Sequence, residues 1–148
     1  MNPDFLDILS AFSEERVEFL VVGAYALAVH GLPRATGDID LWVRPTRDNA
    51  RRVRAALARF GAPIGNLSEQ DLVTRGTVFQ IGVAPRRIDV LTSIDGVEFD
   101  EAWAARTMTR VGGVDIPVIG RAELIRNKKA TGRAKDLADA AWLEGREV

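Results

Sequence analysis

The chain has 148 residues, of which 47% are hydrophobic, so it is long enough for one globular domain with a substantial core. Its net charge of −1, from 20 basic and 21 acidic residues, argues against a protein that holds nucleic acid by overall positive charge. The absence of cysteine excludes disulfides, thiolate zinc sites and a cysteine nucleophile. The first residues carry acids within an apolar pattern, unlike a signal peptide, and no apolar run is long enough to span a bilayer, so we expect a cytoplasmic protein.

The first half of the chain alternates predicted helices and strands, because helical spacing, β-branched runs and glycine stops follow one another. The predicted elements are a helix that starts at Asn2-Pro3 and runs to Phe12, a strand over 17–23, a helix over 24–30, a strand over 38–43 and a helix over 47–60. Thr46 is placed to cap the last of these helices, and Gly61 is placed to end it.

The second half predicts strands first and helices last. The predicted elements are antiparallel strands over 76–83 and 86–92 joined at Ala84-Pro85, a hairpin of 107–111 with 114–119 that turns at Gly112-Gly113, and one or two helices over 121–144 with Leu124, Leu137, Ala141 and Leu143 buried. This order favours an α/β (α+β) fold in which helices flank a mixed β-sheet. We expect a single domain over 1–148, with a core over about 17–120 and a C-terminal helical tail over about 121–146.

Three acids on predicted strands are the strongest sign of chemistry. Asp38 and Asp40 are two apart in one strand, so both carboxylates point to the same face. Like charges that close repel, so the pair is either in open solvent or held by a cation. Asp89 lies between apolar neighbours in a later strand. Carboxylate oxygens suit Mg²⁺, and a glycine such as Gly23 before a helix suits a phosphate, so the pattern indicates a two-metal phosphoryl or nucleotidyl transfer site.

The pattern resembles the nucleotidyltransferase superfamily related to DNA polymerase beta. There, a glycine and a small residue precede an Asp-hydrophobic-Asp-hydrophobic motif, and a later strand carries a third acid. Here these are Gly23-Ala24, a spacer over 25–37, Asp38-Ile39-Asp40-Leu41, and Asp89. The runs "HGLPRATGDIDL" and "LIRNKKATGRAKDLADAAWL" resemble the small bacterial branch that includes toxin nucleotidyltransferases of toxin–antitoxin systems. The resemblance covers roughly 17–143.

The resemblance implies a role for each motif residue. Asp38 and Asp40 would hold Mg²⁺, with two ions in all, against the triphosphate of a bound NTP. Asp89 would complete the first metal site and orient or deprotonate the attacking hydroxyl. Gly23 and Ala24 would hold the triphosphate through backbone N–H groups. Many members have serine at the position of Ala24, so one phosphate contact is missing here.

Further polar residues have two readings each. Arg34 and Thr36 precede the acid pair, where they would contact phosphate oxygens or simply form a surface loop. Lys128 and Lys129 belong to a basic cluster in the tail, which would contact the triphosphate or an acceptor's phosphates, or form a solvated helix face.

The function that follows is Mg²⁺-dependent transfer of NMP from an NTP to an acceptor hydroxyl. The acceptor ranked first is a tRNA or other RNA 3′ end, with the chain as a toxin–antitoxin component and a cognate toxin or antitoxin protein as its partner. One alternative is a weakly catalytic or non-catalytic antitoxin or regulatory binding module, which Ala24 favours and the three acids disfavour. A further alternative is nucleotidylation of a protein or an antibiotic.

Overall fold

The computed structural model describes residues 2–33, 37–83 and 86–145. Within these ranges the chain forms seven helices and one six-stranded sheet. The helices are α1 (Pro3–Glu14), α2 (Gly23–Val29), α3 (Arg47–Phe60), α4 (Glu69–Val73), α5 (Phe99–Ala104), α6 (Arg121–Thr131) and α7 (Ala134–Gly145). The strands are β1 (Phe19–Val22), β2 (Asp38–Val43), β3 (Val78–Val83), β4 (Arg86–Leu91), β5 (Thr107–Val111) and β6 (Val114–Val118).

The sheet is mixed, and its strand order is β3-β4-β2-β1-β6-β5. β1 is antiparallel to β2 and parallel to β6, while β2 is parallel to β4. The outer strands β3 and β5 each pair antiparallel with the strand that follows them in the chain. The predicted fold class, a mixed sheet flanked by helices with a helical tail, is therefore confirmed.

Local chemistry explains most of the element boundaries. The side chain of Asn2 accepts a hydrogen bond from the backbone N–H of Asp4 at 2.8 Å and so caps α1. α3 ends at Gly61, whose φ of +96° is the left-handed conformation that glycine adopts most easily. Thr46 occupies the N-cap position of α3 as predicted, but among the described residues its side chain makes no capping hydrogen bond.

The hairpin of β5 and β6 turns at Gly112 and Gly113, as predicted. Both glycines have positive φ, +56° and +81°, which is what a tight two-residue turn of this kind requires. The predicted junction of β3 and β4 at Ala84-Pro85 lies outside the described residues.

The hydrophobic core lies between the sheet and the helices that cover it. All four residues of β1 are buried, and α1 contributes Phe5, Ile8, Leu9 and Phe12 at helical spacing. α1 packs against α3 and β6, and α2 packs against β1 and β2. None of the helices in the described ranges is both long and apolar enough to cross a membrane.

The tail forms two helices, and its predicted core was half wrong. Leu124 and Leu143 are fully buried, but Leu137 is 44% exposed and Ala141 is also exposed. The inward face of α7 instead carries two aspartates, Asp136 and Asp139, together with Ala140 and Leu143. The short helices α4 and α5 were not predicted.

Candidate active site

Strand pairing brings the three predicted acids together. In the parallel pair of β2 and β4, Asp40 lies directly beside Asp89, and Asp38 lies beside Arg87. Residues two apart in a strand share a face, so Asp38, Asp40, Arg87 and Asp89 all project to one side of the sheet. On the other side of β2, Val22 at the end of β1 is paired with Asp40, which places the start of α2 next to that carboxylate.

Arg87 bridges two of the acids. Its Nη2 lies 3.4 Å from Oδ2 of Asp38, and its Nε lies 3.1 Å from Oδ1 of Asp89. The structure thus pairs Asp89 with Arg87 and gives this arginine Asp38 as a second partner. The guanidinium therefore balances part of the negative charge of the acid group.

Asp40 has a raised pKa. Burial raises the pKa of Asp40, and the charge of Asp89, a hydrogen bond with Asp89 and the charge of Asp38 raise it further, while Arg87 lowers it. The resulting pKa is about 6, compared with 3.8 for an unperturbed aspartate. Asp40 and Asp89 thus form a carboxyl pair in which the charge of Asp89 disfavours ionisation of Asp40. Such a pair is a strong acceptor for a cation.

Gly23 is required by the position of Asp40. Its φ of +71° is left-handed, and a Cβ added there would lie 3.2 Å from Cγ of Asp40 and overlap its Oδ2. The sequence offered phosphate approach as the reason for this glycine. The structure adds a second reason: the Asp40 carboxyl group lies against the Gly23 backbone.

Asp38, Asp40 and Arg87 form the floor of a cleft of about 810 Å³, whereas Asp89 is buried beside Asp40 and is not among the residues that line the cleft. Gly23, Ala24, Asp38, Asp40 and Arg87 line it from the sheet and from α2. The opposite wall comes from the junction of α6 and α7 and includes several cations, Lys128, Arg133 and Lys135. An apolar part is lined by Leu27, Val78, Leu91 and Ile94. The basic tail therefore faces the acid group across one cleft.

The cations of that wall are not equivalent. Lys128 is buried, and its Nζ lies 3.1 Å from Asp136 and 3.5 Å from Asp139. Asp136 also accepts hydrogen bonds from the Thr131 hydroxyl and from Nε of Arg133, both at 2.7 Å. Burial by itself would raise the pKa of Asp136, but the hydrogen bonds from Thr131, Arg133 and Lys128 lower it to about 2. The ion pairs of Lys128 with Asp136 and Asp139 therefore connect α6 to α7.

The other predicted phosphate-binding residues are placed as follows. Lys129 forms an ion pair with Glu144 of α7 at 2.9 Å. Arg133 and Lys135, which were not assigned to the site from the sequence, are exposed and line the cleft. The predicted Arg34 and Thr36 lie outside the described residues. The solitary His30 has a structural contact, since its Nε2 lies 2.7 Å from the carbonyl oxygen of Ile119.

The donor chemistry of the acid group fits a hard divalent cation. Within residues 2–33, 37–83 and 86–145, no three His, Cys, Asp or Glu side chains are preassembled as a metal-binding group. Asp38, Asp40 and Asp89 nevertheless offer carboxylate oxygens on adjacent strands, and Arg87 forms ion pairs with two of them, Asp38 and Asp89. Mg²⁺ is bound by such oxygens together with substrate phosphates, so the metal and a nucleotide would complete the site together.

Comparison with known proteins gives a likeness of structure. No protein-family model matches the sequence, and no curated protein matches it significantly. A protein from Thermotoga maritima, provisionally assigned as a nucleotidyltransferase, has a similar structure, with a TM-score of 0.62 and 17% identity over 98% of this chain and 96% of that one. The structure of ANT(2″)-Ia in complex with adenylyl-2″-tobramycin is also similar, with a TM-score of 0.51 and 14% identity over 97% of each chain. The chain thus has a nucleotidyltransferase-like fold, as the resemblance of its sequence motifs implied.

Proposed function

We propose that this protein is a Mg²⁺-dependent nucleotidyltransferase that moves NMP from an NTP to an acceptor hydroxyl. The observation that carries the proposal is the cleft itself. Asp38 and Asp40 line it from β2, Asp89 is buried beside Asp40 on the neighbouring strand, and Arg133 and Lys135 line the same cleft from the tail. A triphosphate needs cations on its oxygens and a metal site at the reacting phosphorus, and this arrangement supplies both.

Each residue has a defined task in the transfer. Asp38, Asp40 and Asp89 would hold two Mg²⁺ ions, which when bound stabilise charge on the attacking and leaving oxygens. Asp89 would accept the proton of the attacking hydroxyl. The hydroxyl oxygen then bonds to the α-phosphorus while the bond between the α-phosphorus and the bridging oxygen breaks, and pyrophosphate leaves. Gly23 and Ala24 would direct backbone N–H groups at the triphosphate from the start of α2.

Acceptor choice is a separate proposal. We rank a tRNA 3′ end first, with the protein acting in the cytoplasm as a toxin–antitoxin component beside a cognate toxin or antitoxin. The sequence resemblance and the exposed Arg133 and Lys135, which suit the phosphates of an RNA, support this ranking. A small-molecule hydroxyl is the second candidate, because a structurally similar protein, ANT(2″)-Ia, was determined with an adenylylated tobramycin. A protein hydroxyl fits the same chemistry.

The whole chain is proposed to act as one domain. α6 and α7 line the same cleft as β2 and β4, so the tail is part of the site. The non-catalytic binding module remains the competing proposal. It is disfavoured because a protein with no use for a cation gains nothing from holding Asp40 and Asp89 against each other.

A labelled-transfer assay tests these proposals. The protein is incubated with Mg²⁺ and each α-³²P-labelled NTP in turn, with total tRNA, with a protein extract or with an aminoglycoside. We expect label in one acceptor class, and loss of transfer by at least about a hundredfold in Asp40→Asn. Asp115→Asn, which removes an exposed carboxylate paired with Arg110, is the control and should transfer normally.

Three outcomes separate the proposals. Undiminished transfer by Asp40→Asn contradicts the assignment of the acid group. Label in protein or aminoglycoside but not in tRNA replaces the first-ranked acceptor. Binding of Mg²⁺ and NTP without transfer to any acceptor supports the binding module.

A further inference from the structure

Arg87 lies between two of the acids that are proposed to hold the metal. Its Nη2 and Nε point at Asp38 and Asp89, on two neighbouring strands, at 3.4 Å and 3.1 Å. We propose that Arg87 is an internal counter-ion: it holds the carboxylates when no metal is bound, and it moves to the triphosphate when metal and nucleotide bind together. This inference rests on the proposed function and deepens it, because it predicts that metal and nucleotide bind cooperatively.

Charge balance gives the first reason. A guanidinium that donates to Asp38 and Asp89 uses oxygens and negative charge that a divalent ion would need. A second cation in the same place is repelled by the first. Metal alone must therefore displace Arg87 from at least one carboxylate. That displacement lowers the affinity for free metal.

The place to which Arg87 can move gives the second reason. Arg87 lines the cleft, and its side chain is 34% exposed, so it is not locked in the core. A triphosphate between the acid floor and Arg133 and Lys135 would bring anionic oxygens within reach of the same guanidinium. The planar fork of arginine binds phosphate as well as carboxylate. The phosphate oxygens of the nucleotide thus replace the carboxylate contacts that Arg87 loses to the metal.

The position of Arg87 in β4 makes this role specific to it. Arg86 is its immediate neighbour, but successive residues of a strand point to opposite faces, and Arg86 is exposed and does not line the cleft. The two arginines therefore form a matched pair of test sites. Both carry the same charge on the same strand, and the structure shows only Arg87 bridging two carboxylates of the site.

Calorimetric titration of the full chain tests the inference, with free Mn²⁺ in one series and preformed Mn²⁺–tripolyphosphate in the other. Tripolyphosphate carries the anion without a base preference. In Arg87→Gln we expect free Mn²⁺ to bind about tenfold more tightly and the tripolyphosphate complex about tenfold more weakly, inside the range of roughly 5–150-fold that is typical of coupled sites. Arg86→Gln should change both affinities by less than about threefold.

The opposite signs distinguish this role from simpler ones. If both ligands bind more tightly to Arg87→Gln, Arg87 only repels metal and does not move to the anion. If both bind more weakly, its role is structural. Either result overturns the inference while leaving the proposed function intact. If the wild type binds neither free Mn²⁺ nor the tripolyphosphate complex, the proposed function fails as well.

Thermal unfolding supplies a second, independent readout. Without metal, Arg87→Gln should have a lower Tm than the wild type, because Asp38 and Asp89 lose the guanidinium that pairs with both. Saturating Mn²⁺ should narrow this difference in Tm, because the metal ion takes the place of the guanidinium charge. A gap that Mn²⁺ leaves unchanged contradicts the inference. If the glutamine variant does not fold, Arg87→Lys replaces it, because one ammonium cannot bridge both carboxylates as a guanidinium does. This variant should bind free Mn²⁺ more tightly and Mn²⁺–tripolyphosphate more weakly than the wild type, each by a smaller factor than the glutamine variant.

Discussion

Asp40→Asn should stabilise the metal-free protein, although it should abolish transfer. The pKa of Asp40 is raised from 3.8 to about 6, chiefly by burial and by Asp89. At 1.36 kcal/mol for each pH unit, holding this group ionised at pH 7.5 costs the fold roughly 3 kcal/mol. Asparagine has a similar shape and no charge, and its amide can donate to Asp89. For a chain of this size, that free energy corresponds to a rise in Tm of roughly 6–12 °C as an upper bound.

The pH dependence of the free energy of unfolding gives the sign of the contribution of Asp40. Between pH 3.8 and about 6 the folded protein holds a proton on Asp40 that the unfolded chain has already released. The free energy of unfolding of the wild type therefore falls as the pH rises through that window and levels off above it. In Asp40→Asn this contribution is absent, so the two proteins should differ little near pH 4 and most above pH 6.5.

Differential scanning calorimetry from pH 4 to 7.5, without metal, measures this directly. Asp115→Asn is the control for loss of an exposed carboxylate and should follow the wild type. The reasoning is refuted if Asp40→Asn melts at or below the wild type at pH 7.5, or if the gap is the same at both ends of the pH range. Saturating Mg²⁺ and NTP should then narrow the gap in Tm, since only the wild type gains from binding them.

Three other predictions follow from the same contacts. Gly23→Ala should lower the free energy of unfolding, measured by urea denaturation, by about 1–2 kcal/mol more than Gly132→Ala does. Both glycines have φ near +70°, so the backbone strain is similar. Only at position 23 does the added Cβ meet Asp40, whereas a Cβ at position 132 has no described atom within 4 Å. Asp136→Asn should lower the free energy of unfolding by roughly 2 kcal/mol at pH 7, because the pKa of Asp136 is lowered from 3.8 to about 2 in the folded protein. This loss should vanish as the pH falls from 3.8 to about 2. The control Asp115→Asn should cost less than about 0.5 kcal/mol. A hundredfold excess of Mg²⁺–NTP over its Kd should stabilise the wild type by about 2.7 kcal/mol in thermal unfolding, and an unshifted Tm with every NTP would count against nucleotide binding.

Local sequence patterns were sufficient for most elements. The alternation over 38–43 places Asp38 and Asp40 on one face whatever their neighbours are, and the pair Gly112-Gly113 forces a two-residue turn. These features depend on backbone geometry within a few residues. α4 and α5, with five and six residues, are too short for a helical period to stand out, so they were missed.

Long-range pairing decided what the sequence left open. The parallel register of β2 and β4 places Asp89 beside Asp40 and Arg87 beside Asp38, and no local signal specifies that register. The face of α7 was misjudged for a related reason. Hydrophobic periodicity placed Leu137 inside, but the neighbouring helix presents a buried Lys128, so Asp136 and Asp139 turn inward to neutralise it.

The two walls of the cleft solve the same electrostatic problem in different ways. On the α6–α7 side, Lys128 is neutralised by Asp136 and Asp139, so this lysine stabilises the fold. Lys135 and Arg133, whose Nε donates to Asp136, are exposed and line the cleft. On the sheet side, Arg87 is shared by Asp38 and Asp89, and Asp40 has a raised pKa. A fold selected for stability alone would remove the negative charge of Asp40, as Asp40→Asn does. Its retention beside a cationic wall is the physical argument for the proposal that the floor holds a metal ion that arrives with its own anion.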